Sequence, residues 1–286
     1  MRRAILLAVL LLIPARAGAE DHKVNITPDV VYGHKLGLAM TFDVYTPTEK
    51  PNGRGILFMV SGGWYSSWQP PEKSLGLFKP LTDHGYTVFA VRHGSSPRFS
   101  IPEAVSDVRQ SVRYIRANAK KFNIDPNRIG VFGMSAGGHL SLCLGTMGDD
   151  GDPQGKDPLD RVSDRVQAVV AFVAPTDLRI AVKDYPDRLP AYKNFPALDL
   201  DMKNAEVYSP LAHVTDDDAP TLMLTGAKDD LVPTVNHCAK IKPEFDAKKV
   251  PNKLIDFPEG KHGFSATDMK TSYDEMIAWF DKYLLN

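Results

Sequence analysis

The stretch that most constrains this chain is Ile129-Gly130-Val131-Phe132-Gly133-Met134-Ser135-Ala136-Gly137-Gly138-His139-Leu140. It opens as a short apolar run, the pattern of a buried strand. It then passes through Gly133-Met134-Ser135-Ala136-Gly137, a G-x-S-x-G pattern, and continues into Leu140, Leu142, Cys143 and Leu144, which read as a buried helix. Strand, tight turn and helix are the context in which G-x-S-x-G marks a nucleophile elbow. Glycine is needed at 133 and 137 because a Cβ at either place would meet the neighbouring strand or helix. Ser135 then stands exposed at the tip of the turn. The N–H of Ala136, at the start of the helix, faces an oxyanion developing beside it. The alternative is a glycine-rich turn with an incidental serine.

The rest of the chain supplies a frame for such a turn. Leu36, Leu38, Met40, Phe42 and Val44 alternate with polar residues, which predicts a hairpin at a sheet edge within 30–45. Continuous apolar runs at 56–60, 87–91, 166–173, 221–225 and 254–257 read as strands covered on both faces. Helical spacing predicts helices over 75–84, over 101–122 through Val105, Val108, Val112 and Ile115, and over 271–285 through Met276, Ile277, Phe280 and Leu284. Buried strands alternating with helices predict an α/β fold with a mostly parallel central sheet and helices on both faces. Two stretches break the alternation. Residues 148–164 read as a polar surface loop. Residues 176–218 carry Pro186, Pro190, Pro196 and Pro210 beside Tyr185, Tyr192, Phe195 and Tyr208, and so long an irregular insertion reads as a small lid.

The N-terminus reads as an address. Arg2 and Arg3 precede an apolar run from Ala4 to Ile13, followed by A-x-A sites at 15–17 and 17–19. This predicts a signal peptide over 1–19, removed to leave one catalytic domain over 20–286 in the periplasm or medium. The run is too short to span a membrane, so no stable membrane anchor is expected after cleavage. A net charge of −1 over 286 residues argues against a nucleic-acid partner. Cys143 and Cys238 do not make a disulfide framework, and Cys143 is expected as a buried free thiol.

The segment from Asp125 through Leu140 resembles the serine-nucleophile region of the α/β-hydrolases. It is most similar to the esterase and lipase branch that includes carbohydrate esterases and hormone-sensitive-lipase-like enzymes. In that family the triad runs Ser, then Asp or Glu, then His. Leu224-Thr225-Gly226-Ala227-Lys228-Asp229-Asp230-Leu231-Val232-Pro233 is similar to the family's G-x-x-D-x-x-V-P segment, an alignment that selects Asp229 and leaves Asp230 as the alternative. Asp177, at the end of an earlier strand, is a weaker rival, and its other role is helix capping. Glu259-Gly260-Lys261-His262-Gly263-Phe264 follows the last strand and resembles the segment carrying the family's histidine, which gives His262.

Val60-Ser61-Gly62-Gly63-Trp64 occupies the place of the family's H-G-G-G-W loop, so Gly62 and Gly63 are expected to join Ala136 as oxyanion donors. The chain departs from the pattern here. Val60 stands where the family has its loop-bracing His, and Ser61 where it has its first Gly, so the loop is expected to lack that brace. Trp64, Tyr65 and Trp68 follow and are candidates to line an acyl or sugar pocket. His139 is expected to be packed or capping, and His34, His84, His93, His213 and His237 have no motif company. No histidine pair shows zinc-ligand spacing, so neither a metal nor another cofactor is implied.

These readings converge on a secreted serine hydrolase of carboxylic esters. Its expected substrates are short-acyl esters, small or polymeric, with acetylated or feruloylated carbohydrate among them. Two enzyme alternatives share the triad: a prolyl-oligopeptidase-like peptidase, which carries a large N-terminal domain, and an arylformamidase, an intracellular role at odds with an export signal. A different class, a non-catalytic hydrolase-fold binding protein, draws support from the altered Val60-Ser61 pair.

Overall fold

A computed structural model describes residues 23–286; the signal-peptide reading of 1–19 lies outside the described residues. In chain order the elements are β1 (Val24–Lys35), β2 (Leu38–Pro47), β3 (Gly55–Met59), α1 (Leu75–Asp83), β4 (Thr87–Val91), α2 (Ile101–Ala117), β5 (Ile129–Met134), α3 (Ala136–Thr146) and β6 (Ala168–Phe172). They continue with α4 (Met202–Val207), β7 (Thr221–Gly226), α5 (Cys238–Lys248), β8 (Asn252–Phe257) and α6 (Ala266–Phe280). The strands form one sheet in the order β1-β2-β4-β3-β5-β6-β7-β8. β2 pairs antiparallel with β1 and β4, and every later pairing is parallel.

Side chains alternate across the pleat and divide the core in two. Leu57, Phe89 and Val131 face one side, where they pack with Val105, Val108 and Val112 of α2 and Leu140 and Leu144 of α3. Ile56, Val88, Phe132 and Leu222 face the other, with Phe78 and Leu81 of α1 and Met276 and Phe280 of α6. The parallel strands β3 to β7 are covered on both faces, which is why they read as unbroken apolar runs. β8, expected to be covered in the same way, is instead the edge strand, with Lys253 and Asp256 exposed and only Phe257 buried. α2 begins at a capping box: Ser100 N–H donates to Glu103 Oε2 at 2.7 Å, as Ser-x-x-Glu sequences do. α5 escapes the apolar pattern. Cys238, Ile241 and Phe245 are its buried residues, and lysines and Pro243 dilute that stripe. Residues 176–218 hold short 3-10 turns and α4.

Chain order reverses at β3. β4 lies on one side of β3 and β5 on the other. In open α/β sheets this switch point opens a crevice at the carboxyl ends of the strands. The loop after β3 and the turn after β5 lie side by side there.

Candidate active site

Ser135 sits between β5 and α3 with φ 55° and ψ −120°. A non-glycine residue holds such a backbone at a cost on the order of 1–3 kcal/mol. The neighbouring elements leave little alternative. A Cβ on Gly133 would stand 2.3 Å from the Gly137 carbonyl oxygen, and one on Gly137 would stand 2.6 Å from that of Met59. The two glycines let β3, β5 and α3 close around the turn and hold Ser135 at its tip.

β7 and β8 deliver two more groups to the same edge. His262 Nε2 lies 2.9 Å from Ser135 Oγ, and His262 Nδ1 lies 2.8 Å from Asp229 Oδ2. Asp229 Oδ1 accepts the N–H groups of Leu231 and Val232, each at 2.9 Å. Burial works to raise the Asp229 carboxyl, but the hydrogen bond and charge of His262 and the two N–H donors outweigh it, and the net shift is downward. The ionised carboxylate only accepts, so Nδ1 carries the proton and Nε2 is left to accept from Ser135. Such a relay lets an imidazole take the proton of an attacking serine while the carboxylate holds the ring. Asp230 is exposed. Asp177 is occupied elsewhere, bonded to the N–H and guanidinium of Arg179.

The loop after β3 alters two expectations. Gly62 N–H donates to the Tyr65 carbonyl at 3.0 Å, and Tyr65 N–H returns a bond to Gly62 at 2.9 Å. Gly62 is therefore not a free donor, because its N–H closes its own turn. Gly63 N–H has no acceptor among the described residues. Ala136 N–H is one of the unpaired first-turn donors of α3. Trp64 is buried at 4% exposure, and its Nε1–H donates to His139 Nδ1 at 3.1 Å. It fills the core beneath the loop and does not line a pocket. Tyr65 and Trp68 are 53% and 58% exposed. His139 is fully buried, and its Nε2 meets the Tyr208 carbonyl at 2.7 Å.

Two contacts had no distinct signal in the sequence. The Phe195 ring lies against the loop, so close that a Cβ on Gly63 would come within 2.6 Å of it. His93, just past β4, reaches Ser61 Oγ through Nε2 at 2.8 Å. The only hint of it is a loop lacking its usual histidine beside a strand, β4, that is followed two residues on by one. Cys143 and Cys238 are both buried free thiols. Among the described residues no cluster of three or more His, Cys, Asp or Glu is placed to hold a metal ion, and no helix is long and apolar enough to cross a membrane.

Comparison with known proteins gives this geometry a family. The BD-FAE family model matches residues 42–241. The chain belongs to the BD-FAE family. This is a family of α/β-hydrolase esterases, and its matched span runs from β2 into α5, with Ser135 and Asp229 inside it. LipM of Mycobacterium tuberculosis, a probable carboxylic ester hydrolase, is 27% identical over 242 residues, covering 82% of this chain and 56% of its own. An acetylxylan esterase of Xylanibacter ruminicola is 40% identical over 103 residues, 35% of this chain and 20% of its own. The solved structure of a truncated carbohydrate esterase from gut microbiota superposes with a TM-score of 0.79 at 25% identity, covering 95% of this chain and all of that one. The chain spans 56% to 64% of the length of the mycobacterial esterases it matches.

Proposed function

We propose that this chain is a serine esterase acting on short acyl groups carried by a bulky polar alcohol, acetylated carbohydrate above all. The observation that carries the catalytic part is the unbroken relay from Asp229 through His262 to Ser135, at 2.8 and 2.9 Å. Ser135 Oγ attacks the ester carbonyl while His262 Nε2 takes its proton. The N–H groups of Gly63 and Ala136 stabilise the oxyanion. His262 then returns the proton to the departing alkoxide, leaving an acyl-enzyme. Water repeats the cycle and frees the acid.

The substrate side rests on the aromatic and charged residues around the loop. Tyr65 and Trp68 present aromatic faces to solvent beside the loop, and such faces stack on sugar rings. Phe195 covers Gly63 and takes up space beside the oxyanion donors. The insertion at 176–218, read as a small lid, carries Lys183, Asp184, Asp187, Arg188 and Lys193 and lacks the broad apolar face that a lipase lid offers an oil surface. Relatives described as an acetylxylan esterase and a carbohydrate esterase support the same class. The run from Arg2 to Ala19 supports export, where such polymers are met.

The test is a series of p-nitrophenyl esters from C2 to C8 beside acetylated and feruloylated sugars. An apolar acyl tunnel gains about 0.8 kcal/mol per methylene, so a lipase would rise along the series. The expected result is a fall in kcat/KM beyond butyrate together with release of acetate from acetylated sugar. A peak at C8, or no reaction with any sugar ester, would defeat the substrate reading. Failure of a fluorophosphonate probe to label Ser135 would defeat the esterase reading as well, leaving a binding protein.

A further inference from the structure

The loop after β3 turns through two left-handed residues in succession, Gly63 at φ 56° and Trp64 at φ 58°. A non-glycine residue in that region holds only where its surroundings fix it. Gly62 and Tyr65 close the turn upon itself, but this does not tie the turn to the sheet. The Trp64 indole is tied to His139 of α3, and the other ties run to the segment after β4. Ser66 N–H donates to Ser95 Oγ at 2.8 Å, Ser95 Oγ donates to the Ser66 carbonyl at 2.6 Å, and Ser96 N–H donates to the Trp64 carbonyl at 3.1 Å. All of these hold the far limb. On the near limb, Val60 N–H donates to the Val91 carbonyl at 3.0 Å, and the next residue, Ser61, which leads directly into Gly62 and Gly63, is held by His93 at 2.8 Å.

His93 is built for that contact. It is buried at 4% exposure. Its Nδ1 lies 2.8 Å from the Gly94 carbonyl, which only accepts, so the proton is on Nδ1. Nε2 is then an acceptor, and Ser61 O–H donates to it. Behind His93, Gly94 N–H donates to Asp107 Oδ2 at 2.8 Å, and Asp107 pairs with Lys35 at 2.5 Å. The peptide that orients the imidazole is anchored by a buried carboxylate with its own counter-ion. This arrangement fixes a tautomer and a ring direction, as supporting hydrogen bonds do around other site histidines.

We infer that His93 is a positioning residue which, through Ser61, holds the near limb of the loop so that Gly63 N–H stays where the oxyanion forms. The inference rests on the serine-esterase reading for its catalytic consequence, but not for the brace itself. An oxyanion donor acts only in the transition state, so slackening it lowers kcat and leaves KM alone.

The experiment compares wild type with Ser61→Ala, His93→Ala, His93→Gln and the double Ser61→Ala/His93→Ala variant. Two readouts are taken: kcat and KM on p-nitrophenyl acetate, and amide hydrogen exchange of the peptide covering 60–66. Expected for Ser61→Ala and for His93→Ala is a kcat about tenfold down, short of the loss from deleting a donor outright, with KM within about twofold. The double variant should be no worse than the worse single, because the two side chains act through one bond. His93→Gln, whose Oε1 offers an acceptor, should recover most of the rate. Exchange of 60–66 should speed up in each alanine variant. Unchanged exchange in Ser61→Ala would overturn the inference, as would losses that multiply in the double variant. Ser61→Ala deletes only a hydroxyl, so this arm still decides if His93→Ala does not fold. A wild type inactive on every ester would overturn the esterase reading, while the exchange arm would still decide the brace.

Discussion

At the scale of single residues, adjacent side chains have unlike fates. Asp229 is buried and bonded to His262, whereas Asp230, next in the chain, is exposed. Ser135→Ala and His262→Ala should each lower kcat by about 10⁴ or more, and Asp229→Asn should be nearly as severe, since members of such a relay act as a unit. Asp230→Asn should leave kcat close to wild type. Steady-state rates on p-nitrophenyl acetate decide this, and a larger loss from Asp230→Asn would reassign the acid. Trp64 and Trp68 divide similarly. Trp64→Ala empties a buried site and should cost about 3–5 kcal/mol in denaturant unfolding. Trp68→Ala should leave stability alone and slow acetylated-sugar hydrolysis more than p-nitrophenyl acetate hydrolysis. The three relay residues were legible because each follows a strand, within a recognisable segment and in the expected order. Trp64 and Gly62 were not, because a sequence pattern does not say where an indole turns or which carbonyl takes a loop N–H.

Among the elements, the loops after β7 and β8 are clasped to each other. Lys228 N–H donates to the Gly260 carbonyl at 2.8 Å, and Ala227 N–H to that of Phe257 at 3.0 Å. A Cβ on Gly260 would stand 2.9 Å from the Gly226 Cα. Gly260→Ala should therefore prise the histidine loop from the acid loop. A misplacement of about 1 Å costs about 10² in rate, so a loss of that size is expected on aryl acetates while the protein remains folded by circular dichroism. Wild-type kcat in Gly260→Ala would mean that the loops adjust freely. The buried strands were legible because burial on both faces leaves an unbroken apolar run. α5 was not, because its buried positions are spread among lysines and interrupted by Pro243.

Over the whole molecule, the buried histidines set a lower limit on working pH. His139 and His237 are both pushed by burial from 6.5 to about 4. Below pH 6.5 the unfolded chain binds protons that the folded chain refuses until about pH 4. Stability is therefore complete above 6.5 and falls through this window, by about 1.4 kcal/mol per pH unit for each histidine. The depressed Asp229 adds loss of the same sign as pH drops through the carboxylate range. Urea midpoints taken from pH 7 down to 4.5 should fall steadily, and a flat profile would contradict the burial of both rings.

The relay also joins distant parts of the chain. His262 stands 127 residues from Ser135 and 33 from Asp229. Contacts so far apart in sequence are entropically expensive to form and come late. Hydrolysis then serves as a clock for the end of folding. On dilution from denaturant, far-UV circular dichroism should recover first and turnover last, once β8 has docked beside β7.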